Sequence, residues 1–472
     1  MGRYKTLVNN TLIFGICNFT SKLLVFFMLP LYTAVLSKEE FGTADLITTT
    51  VGLLYPILSL EISEACMRYA LDKSYNEKHV FSIGLKVLLL GFILLLILTP
   101  IIINIGGLKG WAFYFVVLYA TTVLNTFLNK FGRGIQKIKV VGIAGVASSF
   151  TAVGSNLLFL LLLNWGIQGY LISMILGHLV ACAVLIFGGG MYRYITTSTR
   201  NGLAQEMIKY SIPMVPNKLS WWTNHLANRY ILNYYCGVGD VGLYSAAARM
   251  PAIIDTFRGI FIEAWQLSMI TEYNQNDSDA FFQRVYRVYN VFMIVLTTFL
   301  ISCSQIIGSV LYSKEFYEAW IYTPLLLLGV FYGSMVAYYS PVYLAYKKTN
   351  KLFLFTLSGA LLTLLINFIL VPIIKINGAA IAFVVSNFII YFTMEIDSRK
   401  YIMIENKDLK IKLCYFILTT QAFLTSFSVI KPFGLVSITI VLFFIIILRR
   451  DISSLSNVLK KAITNRIQNK QH

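Results

Sequence analysis

The chain has 472 residues, 57% of them hydrophobic and only 13% charged, with a formal net charge of +18. Soluble globular chains carry about 25% charged residues, so this composition excludes a soluble domain and points to an all-α polytopic membrane protein. Six cysteines (Cys17, Cys66, Cys182, Cys236, Cys303 and Cys414) are scattered without a close pair or a histidine-flanked cluster, which argues against a disulfide framework or a zinc site.

A spanning helix needs about 20 apolar residues. Such stretches are centred near residues 20, 52, 92, 120, 153, 179, 221, 253, 298, 334, 361, 386, 420 and 441, which predicts 14 transmembrane helices. The first runs from about residue 7 to 36, too long for the apolar core of a secretory signal. With the N-terminus inside, 28 of the 39 Lys and Arg fall in inner segments. Five (Lys38, Lys109, Lys314, Lys375 and Lys431) fall in outer loops, and six lie within spans. Cytoplasmic loops collect Lys and Arg, so both termini are expected in the cytoplasm. The +18 charge then reflects topology, and no nucleic-acid partner is expected. The basic tail, residues 449–472, is either an amphipathic segment on the anionic inner leaflet or a solvated end.

The chain also repeats itself. The stretch from Val35 to Ala44, containing Phe41-Gly42, is echoed about 200 residues later by Cys236 to Ser245, containing Val241-Gly242. Gly166-Ile167-Gln168-Gly169 is echoed by Lys375-Ile376-Asn377-Gly378, and Lys137 and Lys139 by Lys347 and Lys348. These offsets predict two six-helix lobes of one hand, an N-terminal lobe over 1–205 and a C-terminal lobe over 206–402. Helices 13 and 14 with the tail, 403–472, form an appendage. Parallel repeats are a transporter architecture, with the substrate site between the repeats.

Six basic side chains lie inside the spans: Lys22, Lys86, Lys218, Arg229, Arg249 and Arg258. A cation at the bilayer centre costs about 2.5–3.5 kcal/mol on insertion scales, so each needs water, a counter-charge or an anionic ligand. Lys86 is near the inner end of its span and snorkels to the interface. Lys22 lies mid-membrane within Asn18-Phe19-Thr20-Ser21-Lys22. The seventh span opens with Pro213 and Pro216, which should bend or unwind it. Beyond them Lys218, Trp222, His225 and Arg229 fall at i, i+4, i+7 and i+11, one stripe about 16 Å long. A cavity site is therefore predicted from Lys22, Lys218, Trp222, His225, Arg229, Arg249 and Arg258. Asp255 and Arg258 are spaced to neutralise each other, as are Glu64 and Arg68. Asp45, Glu61, Glu64 and Asp255 bind a coupling proton or Na+, or else serve as counter-charges; the sequence leaves both open.

Other patterns carry nothing. Gly237-Val238-Gly239-Asp240-Val241-Gly242 satisfies GxGxxG but joins two membrane helices, whereas a dinucleotide site needs a strand before the helix. No GxxxxGK[ST] loop is present, so no ATP is expected, and no metal or catalytic motif occurs in an outer loop.

These features together resemble the polysaccharide or O-antigen flippases of the multidrug/oligosaccharidyl-lipid/polysaccharide exporter superfamily, with its MATE-like fold. The matching residues are Pro30-Leu31-Tyr32 with Phe41-Gly42, and Ser211-Ile212-Pro213 with Pro216. Arg229-Tyr230-Ile231-Leu232, Val241 to Ala247 and Ile376 to Ala379 match as well. The resemblance spans nearly the whole chain through loose motifs. It implies a secondary transporter of the bacterial cytoplasmic membrane, not an enzyme. Its substrate would be an undecaprenyl-pyrophosphate-linked oligosaccharide (O-antigen or capsule), held by a cationic cavity and flipped from the inner to the outer leaflet. Membrane lipids, a polysaccharide polymerase and a chain-length regulator are the partners it suggests. Asn228 stands where many such relatives carry an acid, so no ion site is inferred there.

Three rivals stand beside this reading. A multidrug cation antiporter of the same fold would need an acidic cavity, whereas the seventh and eighth spans are more basic than acidic. A flippase for the peptidoglycan lipid precursor, or one of teichoic-acid type, would use the same lipid anchor. A polymerase or ligase would be expected to carry a long catalytic outer loop, and every outer loop here is short.

Overall fold

The computed structural model describes residues 26–105, 108–197, 202–272, 278–402, 409–427, 440 and 443–444. They are almost wholly helical. Lys22, Cys17, the basic tail and most of the fourteenth predicted span lie outside the described residues. Eight described helices are long and apolar enough to cross a membrane. The chain forms two compact units, Met1–Ser245 and Ala246–His472.

In the first unit, α1 (Leu29–Val35) leads through a tight link into α2 (Lys38–Ser59). A reciprocal cap starts α2: the Glu40 amide donates to Ser37 Oγ at 3.1 Å, and the Ser37 amide to Glu40 Oε2 at 3.0 Å. Two consecutive left-handed residues, Leu60 (φ 51°) and Glu61 (φ 52°), end α2 and start α3 (Ile62–Leu71). Then come α4 (Glu77–Ile105), α5 (Ala112–Gly134), α6 (Ile138–Asn156) and α7 (Gly166–Ala183). Shorter helices follow: α8 (Leu203–Ser211), α9 (Met214–Leu226), α10 (Asn228–Cys236) and α11 (Val238–Ala247). The core of this unit holds Phe81, Phe127 and Phe131 against Tyr194. By contrast α4 turns Leu89, Leu90, Ile93, Leu94 and Ile97 outward. In a chain with this composition that face belongs against acyl chains.

The second unit contains α12 (Ala252–Glu272), α13 (Ser278–Ser302), α14 (Ser304–Leu311), α15 (Ala319–Ala345), α16 (Thr349–Ser398) and α17 (Leu409–Ser426). The centre is α15, 78% buried over its apolar window against 17% for α4. Tyr338, Tyr339 and Tyr343 lie wholly inside, and the Trp265 ring stacks on Tyr338 at 4.8 Å. The 50 residues of α16 are two spans joined by a break at Ile374 and Lys375 (φ 49°). A Cβ on Gly378 would lie 2.6 Å from the Leu370 backbone, so only glycine lets the two halves close there.

One close approach involves two of the repeated stretches. A Cβ on Gly42 of α2 would lie 2.1 Å from the Val238 carbonyl oxygen, and one on Gly242 of α11 would lie 2.1 Å from that of Lys38. The contact is reciprocal, and the two backbones touch where only glycine leaves room.

Candidate functional site

The double proline acts as a helix start. Ser211 ends α8, Pro213 is the N-cap of α9 and Pro216 falls in its first turn, where a proline's missing N–H costs nothing. Ala227 then separates α9 from α10. Along α9 and α10 the predicted stripe runs beside α2 and α3, and most of its members find partners there.

At one end, Arg229 forms an ion pair with Asp45 of α2, its Nε donating to Oδ2. The side chains are only 10% and 11% exposed. Ser245 Oγ donates to the same carboxylate oxygen at 2.6 Å, and Arg229 Nη1 donates to the His225 carbonyl at 3.1 Å. The guanidinium also lies 5.5 Å from the centre of the Tyr244 ring. Asn228 is fully buried and donates through Nδ2 to the Tyr244 hydroxyl at 2.9 Å.

Midway, Trp222 Nε1 donates to the Thr49 carbonyl at 3.0 Å, and the Tyr230 and Thr50 hydroxyls bond to each other. Trp222 is buried. His225 Nδ1 donates to the Trp221 carbonyl, and its ring stacks on Trp221 at 4.5 Å. Helical side chains lean toward the preceding turn, which accounts for that stack.

At the other end, Lys130 of α5 donates to Glu64 Oε1 at 2.7 Å, and Lys218 Nζ lies 3.9 Å from the same oxygen. The expected partner, Arg68, is not the one Glu64 takes; Arg68 is exposed, and Glu64 reaches across to α5 instead. Lys218 is 47% exposed along its side chain. Glu61 is buried, 1% exposed, and its Oε1 accepts no hydrogen bond.

In the second unit Arg258 Nη2 lies 2.8 Å from Asp255 Oδ1, the i, i+3 pair read from the sequence. A Cβ on Gly333 would sit 3.5 Å from Arg258 Nη1 and 3.3 Å from Asn387 Oδ1. Arg249 is half-buried in the turn between α11 and α12, its amide donating to the Ala246 carbonyl at 3.0 Å. Lys86 is exposed on α4.

Two features escaped the sequence reading. Lys130 counts as an inner-loop cation by position, but here it is a partner of Glu64. The second is a cavity of about 250 Å³ inside the first unit, lined among others by Thr48, Tyr55, Thr122, Thr126 and His178. Asn129 Nδ2 donates to Asn125 Oδ1 at 2.6 Å, which leaves Asn125 Nδ2 to donate to His178 Nδ1 at 3.0 Å. In this arrangement His178 Nδ1 is the acceptor. A lone histidine in the apolar run of α7 was the available signal.

A family of polysaccharide biosynthesis proteins matches residues 7–265, more than half of the chain. No curated protein matches. Among solved structures, the lipid II flippase MurJ in an inward closed conformation is similar at a TM-score of 0.68. The identity is 16%, over 93% of this chain and 99% of that one. An inward-facing multidrug resistance transporter of the MATE family, in the MOP superfamily, gives 0.65 at 13% identity, over 86% and 99%. At such identities the likeness shows the fold alone, an all-helical one with several membrane-length helices.

Proposed function

The chain belongs to the polysaccharide biosynthesis protein family, and from that premise we propose that it is a flippase for an undecaprenyl-pyrophosphate-linked oligosaccharide repeat unit. It carries the unit, an O-antigen or capsule precursor, from the inner to the outer leaflet of the bacterial cytoplasmic membrane. In this reading the chain has fourteen spans, both termini cytoplasmic, and two lobes that rock about the site to give alternating access. Family membership favours it over a multidrug antiporter or a peptidoglycan-precursor flippase of the same fold.

The observation that carries the head-group assignment is a half-exposed lysine whose nearest carboxylate oxygen is already held by another lysine. Lys130 and Lys218 share the single carboxylate of Glu64, and Lys218 is half exposed. Beside a pyrophosphate, Lys218 replaces part of the anion's lost hydration as a point charge, and arginines do so by forked hydrogen bonds. Arg229 adds to this cationic site within the first unit, with Asp45 and Glu64 as counter-charges; Lys22, Arg249, Arg258 and Asp255 enter by the sequence pattern alone. Trp222 and His225 form its aromatic wall, and exposed Trp221 offers a face to a sugar ring. The isoprenoid tail stays in lipid. With the cell interior negative, outward movement of an anion is favoured by about 2.3 kcal/mol per charge per 100 mV.

The test is surface polysaccharide in cells carrying Lys22→Ala, Lys218→Ala or Arg229→Ala. Each is expected to abolish the polymer while the protein remains inserted, with Lys→Arg partly tolerated. Normal polymer in all three alanine variants refutes the head-group assignment.

A further inference from the structure

Lys86 differs from the other cations placed within the spans. Lys218, Arg229 and Arg258 each lie within ion-pair distance of a carboxylate, and Arg249 is half-buried in a turn. Lys86 is exposed, and among the described residues no carboxylate pairs with it. Its helical neighbours Ser82, Ile83, Leu89 and Leu90 are uncharged. Glu77, the acid of α4, lies nine residues away on the opposite side of the helix and faces Tyr194.

The face that Lys86 belongs to is apolar. Counting around the helix, Lys86, Leu90, Ile93, Ile97, Ile101 and Asn104 share one stripe, and all six are exposed. From Lys86 to Asn104 the stripe is about 27 Å long, close to the roughly 30 Å of a hydrocarbon core. The lysine and the asparagine therefore mark its two edges.

A second observation places the headgroup level at the same point. One turn N-terminal to Lys86, Ser82 Oγ accepts from the Thr196 amide at 2.8 Å and donates to the Tyr194 carbonyl at 3.4 Å. These bonds pin residues 191–196 against α4 and leave Tyr192, Arg193 and Ile195 exposed beside it. Exposed tyrosine and arginine are the side chains that collect at a membrane interface.

We propose that this face of α4 binds an anionic phospholipid, its chains along Leu90, Ile93 and Ile97 and its phosphate on Lys86, with Arg193 at the edge of the headgroup. The charge selects the lipid class. A zwitterionic headgroup carries its own ammonium to the lysine, whereas an anionic one brings net negative charge. In the topology proposed above the lysine end is the inner one, so the occupant belongs to the inner leaflet. The site is separate from Lys218 and its neighbours.

The experiment places the full chain carrying Ile93→Trp in phosphatidylcholine nanodiscs with a minor fraction of lipid brominated at mid-chain. The added indole lies about 10 Å along α4 from Lys86, within the acyl region, where bromine quenches it. The same measurement without Ile93→Trp subtracts the six native tryptophans. Brominated phosphatidylglycerol is expected to quench the added indole more than an equal fraction of brominated phosphatidylcholine. Lys86→Ala should lower that enrichment about fivefold, the worth of one basic side chain at an anionic surface, with melting unchanged because Lys86 is exposed. Lys86→Arg should retain the enrichment. Equal quenching by the two lipids, or a preference that survives Lys86→Ala, overturns the proposal. Relief of the quenching by an equal fraction of undecaprenyl phosphate assigns the face to a carrier lipid and overturns the phospholipid assignment. Both leaflets of the nanodisc have one composition, so the result does not depend on which end of α4 is inner.

Discussion

Replacing Asp45 by alanine isolates the contact between α2 and α10. Arg229 and Asp45 are each about nine-tenths buried, and removing one partner of a buried pair costs about 3–5 kcal/mol, since a charge is left uncompensated. Here the guanidinium keeps the His225 carbonyl at 3.1 Å and the face of Tyr244, so the lower end, about 3 kcal/mol, is expected. For a unit of this size each kcal/mol shifts Tm by roughly 2–4 °C, so Asp45→Ala should melt about 10 °C below wild type. The double variant Asp45→Ala/Arg229→Met removes both charges but keeps an apolar stem, and replacing a buried pair in this way is often neutral. It should therefore recover most of the loss.

The assay is thermal unfolding in detergent followed by tryptophan fluorescence, with surface polymer scored in parallel. Restored melting with absent polymer separates the stabilising role of Arg229 from its proposed contact with the head group. The reasoning is refuted if Asp45→Ala melts with wild type, or if the double variant loses the sum of the two single losses, since groups in contact should couple.

Other substitutions probe neighbouring features by the same melting measurement. Trp222→Phe keeps a ring in place but deletes the donor to the Thr49 carbonyl, a loss of about 1 kcal/mol, whereas Trp222→Ala should lose about 3–5 kcal/mol. Gly42→Ala drives a methyl to 2.1 Å from the Val238 carbonyl and should cost more than Gly52→Ala, whose added carbon comes no closer than 3.7 Å to Trp222. Equal losses at the two glycines argue against the backbone contact between α2 and α11. Gln136 is exposed at φ 58° in the link between α5 and α6. Gln136→Gly should raise stability by up to about 1 kcal/mol, because left-handed geometry costs a side-chain-bearing residue 1–2 kcal/mol. A lower Tm contradicts that geometry.

What the sequence made legible is local or periodic. Composition and apolar runs identify the membrane, Gly378 and Lys375 mark the break inside α16, and the i, i+3 spacing finds Asp255 with Arg258. The stripe from Lys218 to Arg229 was legible too, because 3.6-residue periodicity puts those side chains on one face. What that face meets was not legible. Glu64 has Arg68 one turn away but takes Lys130, 66 residues on; Asp45 takes Arg229, 184 residues on. A pairing rule confined to one helix sees only the nearer candidate, and burial overrides it: Arg68 reaches solvent, whereas Lys130 has no comparable exit. The left-handed pair at Leu60 and Glu61 was also hidden, since no glycine marks it.

The pairing pattern alters which cations should meet a substrate first. Arg229 and Arg258 each hold a carboxylate already, so a pyrophosphate reaching either must displace an acid, and its gain is only the difference between two anions. Lys218 is 3.9 Å from a carboxylate that Lys130 occupies at 2.7 Å, and little is lost when it turns to a new partner. A carrier must also let go. A flexible ammonium on a four-carbon stem binds as a point charge, without the fixed fork of a guanidinium, which suits a site that releases its ligand on the other side. Lys218→Arg should accordingly tighten binding of a lipid pyrophosphate while slowing its delivery, measured as probe affinity against surface polymer. Faster delivery together with tighter binding contradicts this division between the lysines and the arginines.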